Sequence, residues 1–254
     1  MMGYWLGIFI ACASESSGVL GKAITEENVG TELCRNFEHW KQSGISEDAL
    51  RQGLTYFRDH IDLFPNKKSI AIADYSLSST KKRFFVFHWE DGAVEKVHVS
   101  HGSGAQGKTK WGDPDHDGFL DTCMHNGDPT NMTRVGFFRV AEYYHSTNHT
   151  PKQWPFLSIE GEQKNINGLR LDGLSSTNKQ ARSRGVVMHE ATYNTGRVMG
   201  RSYGCPAFRP SEGAEIMPAF AHGGMYYSYV PRCEAQQEEV LKEVEDWEQT
   251  CSEL

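Results

Sequence analysis

Two short stretches of the chain carry residue types suited to covalent chemistry. Val186-Val187-Met188-His189 ends an apolar run on an imidazole, and sixteen residues later Gly200-Arg201-Ser202-Tyr203-Gly204-Cys205-Pro206 sets a thiol in a tight turn. A free thiol, with a pKa of about 8.5, is only a few per cent thiolate at neutral pH. A working nucleophile therefore needs a base to take its proton, or N–H dipoles to hold its anion. His189 is the candidate base and Cys205 the candidate nucleophile. Gly204 removes a side chain in a tight turn where backbone N–H groups can approach a substrate carbonyl. Taken alone, one Cys and one His more often form a buried inert thiol and a core imidazole, so the rest of the chain has to decide.

The elements that must position these residues are mostly strands. From Ser69 the chain alternates Ile70 and Ile72 before Asp74. Arg83 to Trp89 is rich in Phe and Val, Asp91-Gly92 marks a turn, and Val94 to Ser100 follows, which is the pattern of a hairpin. Further strands are predicted near 133–144, 155–159, 168–172, 185–190 and 224–230, where β-branched and aromatic residues lie between turn residues. Helical signals flank this region. Thr25 precedes Glu26 and Glu27, and Ser46-Glu-Asp-Ala opens a stretch with Leu50, Leu54 and Phe57 at helical spacing. Val240, Val244, Trp247 and Cys251 recur at i, i+4, i+7 and i+11, predicting an amphipathic helix that docks one face. The expected organisation is a signal segment over 1–13, a helical extension over 14–66, a β-rich catalytic domain over 67–231 and a C-terminal amphipathic helix over 232–254.

Composition bounds the remaining options. The 254 residues include 6 Trp, 10 Tyr and 13 Phe with 38% hydrophobic residues, which is globular rather than disordered. Lys plus Arg number 26 against 33 Asp plus Glu, a formal charge of −7, so nothing in the overall charge favours nucleic acid. The longest apolar run, Tyr4 to Ala13, falls short of the roughly 18 residues that span a bilayer. It ends in Ala11-Cys12-Ala13, small residues at a signal-peptidase spacing, and so predicts an exported, periplasmic or wall-associated protein with no transmembrane span after signal removal. Against that, no Lys or Arg precedes Lys22. A buried N-terminal element and a lipid-anchored Cys12 are the other readings of the same run.

The remaining cysteines are Cys34, Cys123, Cys205, Cys233 and Cys251. With Cys205 reserved as nucleophile, four remain, and their connectivity is open to three pairings. Cys233 with Cys251 is the least favoured, because a helix between them would hold them about 27 Å apart.

Asp113-Pro-Asp115-His-Asp117-Gly118-Phe-Leu-Asp121 lies inside a long Gly-, Asp- and Asn-rich loop over 101–132. It carries oxygen ligands at positions 1, 3, 5 and 9 with Gly at 6, as a calcium loop does, but Met124 stands where the closing Glu belongs. A structural Ca²⁺ on Asp113, Asp115, Asp117 and Asp121 is one expectation, and a solvated acidic turn is the other. Zinc on His116, Cys123 and His125 fits no closed tetrahedral spacing. His101 reads as a structural histidine, and Glu190, next to the base, either orients it or faces solvent, the second being the favoured reading.

Arg182-Ser-Arg-Gly-Val-Val-Met-His189 with Gly200-Arg-Ser-Tyr-Gly-Cys205-Pro-Ala resembles the catalytic signature of the murein L,D-transpeptidase family, a His followed by a Ser-x-Gly-Cys turn. Ile72-Ala-Asp74-Tyr-Ser76-Leu-Ser-Ser-Thr80, Val99-Ser-His101-Gly102 and Leu169-Arg-Leu-Asp172-Gly resemble its other blocks in the same order, over about residues 45 to 231. The resemblance implies a β-sandwich catalytic domain in which Cys205 attacks a peptidoglycan stem peptide, His189 serves as base, and the N–H groups around Tyr203 and Gly204 bind the oxyanion. It implies release of terminal D-alanine and either a 3→3 cross-link or, with water, L,D-carboxypeptidase action, with no cofactor required. A calcium-dependent wall-binding module that has lost activity is the reading from another class. Two positions depart from the family pattern. Tyr203 stands where many relatives have His, and Pro206 where many have Arg near the Cys. Arg201 and Arg209 are therefore only candidates for binding the substrate carboxylate, with Ser202 as a third substrate-binding candidate.

Overall fold

The computed structural model describes residues 23–102, 117–120, 123, 131–159, 165–195, 197, 199 and 202–252. The chain opens with helices α1 (Val29–Lys41) and α2 (Glu47–Asp59). In α2, Glu47 and Arg51 pair one turn apart on the exposed side, while Leu50, Leu54 and Phe57 are fully buried. Gly53 lets α2 settle on the sheet, since a Cβ there would stand 2.7 Å from Ile72 Cδ1.

The strands are β1 (Ser69–Asp74), β2 (Phe84–His88), β3 (Val94–Val97), β4 (Gly136–Tyr144), β5 (Gly168–Gly173), β6 (Val187–Glu190), β7 (Ala207–Phe208) and β8 (Met225–Tyr229). They form one mixed sheet in the order β3-β2-β1-β8-β4-β5-β6-β7. All pairs are antiparallel except β1 with β8 and β6 with β7. The two edges then meet. Val99, just beyond β3, bridges Phe208 of β7, and Ser100 N–H donates to Ala207 O at 2.9 Å. The sheet thus curls toward closure, which removes an open edge next to the thiol-bearing turn.

The two N-terminal helices share a single core with this sheet. Trp40 lies 5.2 Å from Phe87 and 5.1 Å from Trp89, and Tyr56 stacks on Phe137 at 3.7 Å. Residue 66 therefore marks a change of secondary structure and not of core. A buried polar triad, Gln52, Tyr227 and Gln237, ties α2, β8 and helix α4 (Glu234–Leu241) together through bonds of 2.6–3.0 Å.

Two expectations are corrected. Residues 155–159 are not a strand: Thr150–Trp154 is a turn, Pro155 has no N–H to give a ladder, and among the described residues Leu157 N–H reaches across to Ile166 O. A helix that the sequence reading does not name, α3 (Glu212–Phe220), lies between β7 and β8. The tail is not one helix over 232–254, for α4 stops at Leu241 and Asp246 takes φ +55°. The tail then folds back onto the two N-terminal helices: Thr250 meets Thr55 and Arg51 of α2, and Cys251 bonds Cys34 of α1. Those tertiary contacts outweigh the helical period of Val240, Val244 and Trp247. The second disulfide joins Cys123 to Cys233, so Cys233 and Cys251 are bonded to other partners. Among the described residues no helix is long and apolar enough to cross a membrane, and the segment read as a signal lies outside them.

Candidate active site

His189 is the third residue of β6, an apolar strand whose four residues are all buried. Its backbone neighbours are fixed on both sides. Gly168 of β5 pairs with it, and a Cβ on Gly168 would stand 2.5 Å from Met188 O, so only glycine lets the strands approach this closely. On the other side it pairs in parallel with Ala207 and donates its N–H to Pro206 O at 3.3 Å. Cys205, two residues before Ala207, thus sits in the bend that leads into β7, level with Val187 on the strand that carries His189.

The His189 ring is held by its own chain. Nδ1 sits 2.9 Å from Glu190 O, and because a carbonyl only accepts, Nδ1 carries the proton and Nε2 keeps the lone pair. Burial drives the pKa down to about 3, against the favourable pull of the Glu190 carbonyl, and His149 lowers it further. Glu190 does not face solvent: it is buried, and its Oε1 accepts the Ala214 N–H at 2.8 Å in the first turn of α3.

The turn before Cys205 is built on Gly204, at φ +94°. A Cβ there would fall 2.4 Å from Met132 O, so the turn lies directly against the segment leading into β4. Ser202 is fully buried; its hydroxyl donates to His101 O and accepts the Gly204 N–H at 3.2 Å. Gly102 bridges Ser202 and donates its N–H to Thr133 Oγ1 at 2.8 Å. Ser202 is thereby committed to holding the turn. Tyr203, by contrast, is 71% exposed beside the thiol.

Cys205 is the free cysteine among the described residues and is half-buried. Burial pushes its thiol up to about 11, opposed by the Val187 N–H and by the charge of Arg134. Thiol and imidazole are therefore both neutral at rest near pH 7 and do not form a preformed ion pair. His101 supports the turn from below. Arg83, fully buried, donates to its Nδ1 at 2.8 Å and to the carbonyls of Val99 and Leu77.

Arg209 is half-buried, with Nε 3.3 Å from Met199 Sδ, and Arg201 lies outside the described residues. Sequence reasoning missed Arg134, buried and close enough to act on the thiol, and Trp154, whose indole stacks on His189 at 3.5 Å. Neither carries a local signal, since both reach the site only through the tertiary fold.

Of the Asp-rich loop, Asp113, Asp115 and Asp121 lie outside the described residues, as do His116 and His125. Asp117 accepts the Phe119 N–H at 2.7 Å and approaches Arg232 at 4.0 Å. Cys123 is in a disulfide, which removes it as a zinc thiolate. Among the described residues no group of three or more His, Cys, Asp or Glu is placed to hold a metal ion.

The sequence matches the model of the L,D-transpeptidase catalytic domain over residues 41–229, and no curated protein matches it. Among solved structures, an L,D-transpeptidase from Mycobacterium smegmatis is 16% identical, with 64% of this chain and 58% of that one covered and a TM-score of 0.34. One from Mycobacterium tuberculosis H37Rv is 19% identical, with 64% and 57% covered and a TM-score of 0.32. One from Xylanimonas cellulosilytica is 14% identical, with 65% and 63% covered and the same score. The chain thus spans less than two thirds of the length of these structures. On the match that takes in most of its length, with the blocks around His189 and Cys205 inside it, this chain belongs to the L,D-transpeptidase catalytic-domain family.

Proposed function

We propose that the chain is an exported peptidoglycan L,D-transpeptidase that works through a Cys205 thioester. The observation that carries this reading is the placement of Cys205 directly after the positive-φ Gly204, in the turn that enters the strand paired with a histidine whose Nδ1 proton is fixed by the Glu190 carbonyl. The donor is a stem tetrapeptide, attacked at the carbonyl between its third residue and terminal D-alanine. As sulfur bonds to that carbon, the thiol proton passes to His189 Nε2 and the oxygen becomes an oxyanion. The Gly204 N–H is directed at Ser202 Oγ, so the Tyr203 and Cys205 N–H groups are the oxyanion donors. The intermediate collapses, the C–N bond breaks, and Nε2–H protonates the departing D-alanine amine. An amine of a neighbouring stem then takes the acyl group from sulfur, giving a 3→3 cross-link. Water in its place gives a tripeptide.

The test is product analysis by mass spectrometry after purified protein meets disaccharide-tetrapeptide from bacterial wall. Dimers lacking one D-alanine support the transpeptidase reading, and tripeptide monomers alone would replace it with a carboxypeptidase. Unchanged substrate would remove both.

A further inference from the structure

The connection between β4 and β5 reaches the candidate base. Within it, the Gln153 and Trp154 N–H groups both donate to Thr150 O, at 2.8 and 2.9 Å, closing a turn. Gln153 O accepts the Thr192 N–H at 3.1 Å, which ties this turn to the chain three residues beyond His189. The tie delivers the Trp154 indole flat onto the imidazole. Ring centroids are 3.5 Å apart and the planes differ by 13°. His149 covers the opposite indole face at 3.9 Å and 9°, its Nδ1 bonded to Ser146 Oγ at 2.9 Å. Trp154 is only 7% exposed, yet it stands outside the continuous hydrophobic core that takes in Leu157 and Ile166 of the same connection. Its burial is spent on the histidines.

Resting on the reading of His189 as base, we propose that Trp154 is a positioning residue, the middle ring of a His149–Trp154–His189 stack that fixes the plane of the base and holds it as it gains a proton. One hydrogen bond, Nδ1–H to Glu190 O, leaves the imidazole free to swing about that bond. A ring packed on its face removes the freedom and keeps the Nε2 lone pair in line with the thiol strand. During attack the S–H bond breaks, Nε2–H forms and the electron pair stays on sulfur as it bonds to carbon. The imidazolium so formed lies against the indole face, whose cation–π attraction is smaller than the burial the same ring imposes, so that losing the indole raises the midpoint. Among the described residues, the titratable and charged groups that face this imidazole and its thiol partner are His149 behind the indole, Glu190 on the same strand, and Cys205 itself, on which Arg134 of the segment entering β4 acts. Burial holds His149 below its ordinary pKa, so it adds no charge near pH 7.

The experiment compares the full chain with Trp154→Leu, which keeps apolar volume without a ring, and Trp154→Phe, which keeps a ring. The first readout needs no peptidoglycan: the NMR titration of His189 in protein labelled with ¹³C-histidine. In Trp154→Leu its midpoint rises by at least about one pH unit toward the ordinary value of about 6.5, as water reaches the ring. In Trp154→Phe it stays within about half a unit. The second readout is turnover of disaccharide-tetrapeptide. Trp154→Leu lowers kcat roughly 10- to 100-fold with KM changed less than about twofold, and Trp154→Phe recovers to within about threefold. An unshifted His189 titration in Trp154→Leu, or equal kcat losses in both variants, overturns the proposal. A shifted titration in a protein whose His189→Gln variant turns over normally overturns instead the assignment of His189 as base.

Discussion

Replacing Gly204 by Ala isolates how tightly the thiol turn is built. The backbone at Gly204 has φ +94°, a region that costs an L-residue about 1–2 kcal/mol. The added methyl would also lie 2.4 Å from Met132 O, where even 3.0 Å is closer than real Cβ atoms come. Either the turn or the 132–134 segment must therefore retreat by about 0.6 Å at least, and the second option drags Arg134 away from the thiol. Gly44 supplies a matched control, with φ +91° and nothing within 4 Å of its added methyl. Gly44→Ala loses about 1–2 kcal/mol from backbone strain and keeps full turnover. Gly204→Ala loses that plus the cost of the clash, about 2–4 kcal/mol in all. Its kcat falls by up to about 100-fold, because displacements near 1 Å at a reacting group cost that much. Urea unfolding and turnover of disaccharide-tetrapeptide measure both. Matching losses in the two variants, in stability and in kcat, would refute the claim that Met132 O fixes the turn.

Two further predictions rest on the same structure. His189, buried and neutral with a folded pKa of about 3, regains its ordinary value of about 6.5 on unfolding, so between those values the unfolded chain binds the extra proton and stability rises with pH. His189→Gln removes that dependence and flattens the unfolding free energy between pH 5 and 6.5 by about 1.5 kcal/mol, read from urea titrations at each pH. The disulfides Cys34–Cys251 and Cys123–Cys233 close segments of 217 and 110 residues. Removing either by a Cys→Ala pair costs roughly 3–5 kcal/mol on chain-entropy grounds, and calorimetry shows it as a fall in Tm of about 10 °C.

What sequence could reveal about this site was what is local. The thiol turn is readable because Gly204 and Cys205 are adjacent and the turn's geometry is a property of a few bonds. His189 is readable because an apolar run ends on it. The strands from β1 to β3 announce themselves by alternation and by the Asp91-Gly92 turn. The residues that surround the pair come from afar. Arg83 meets His101 across 18 positions, Trp154 meets His189 across 35, and Met132 limits Gly204 across 72, by contacts that leave no periodicity behind. The tail misled for the same reason. Its apolar residues do keep helical spacing, but Asp246 reverses the chain so that Thr250 and Cys251 can reach α2 and α1. Likewise α3 forms in a stretch punctuated by Pro210, Gly213 and Pro218, with the Glu190 carboxylate accepting an N–H of its first turn.

The most direct test of the central claim, that Cys205 carries the acyl group, is the intact mass of the protein quenched in acid during turnover of disaccharide-tetrapeptide. The predicted result is an added mass equal to the donor less alanine, mapped by peptide sequencing to Cys205, released by hydroxylamine and absent from Cys205→Ala. Turnover with no such adduct, an adduct on another residue, or undiminished turnover by Cys205→Ala would contradict it.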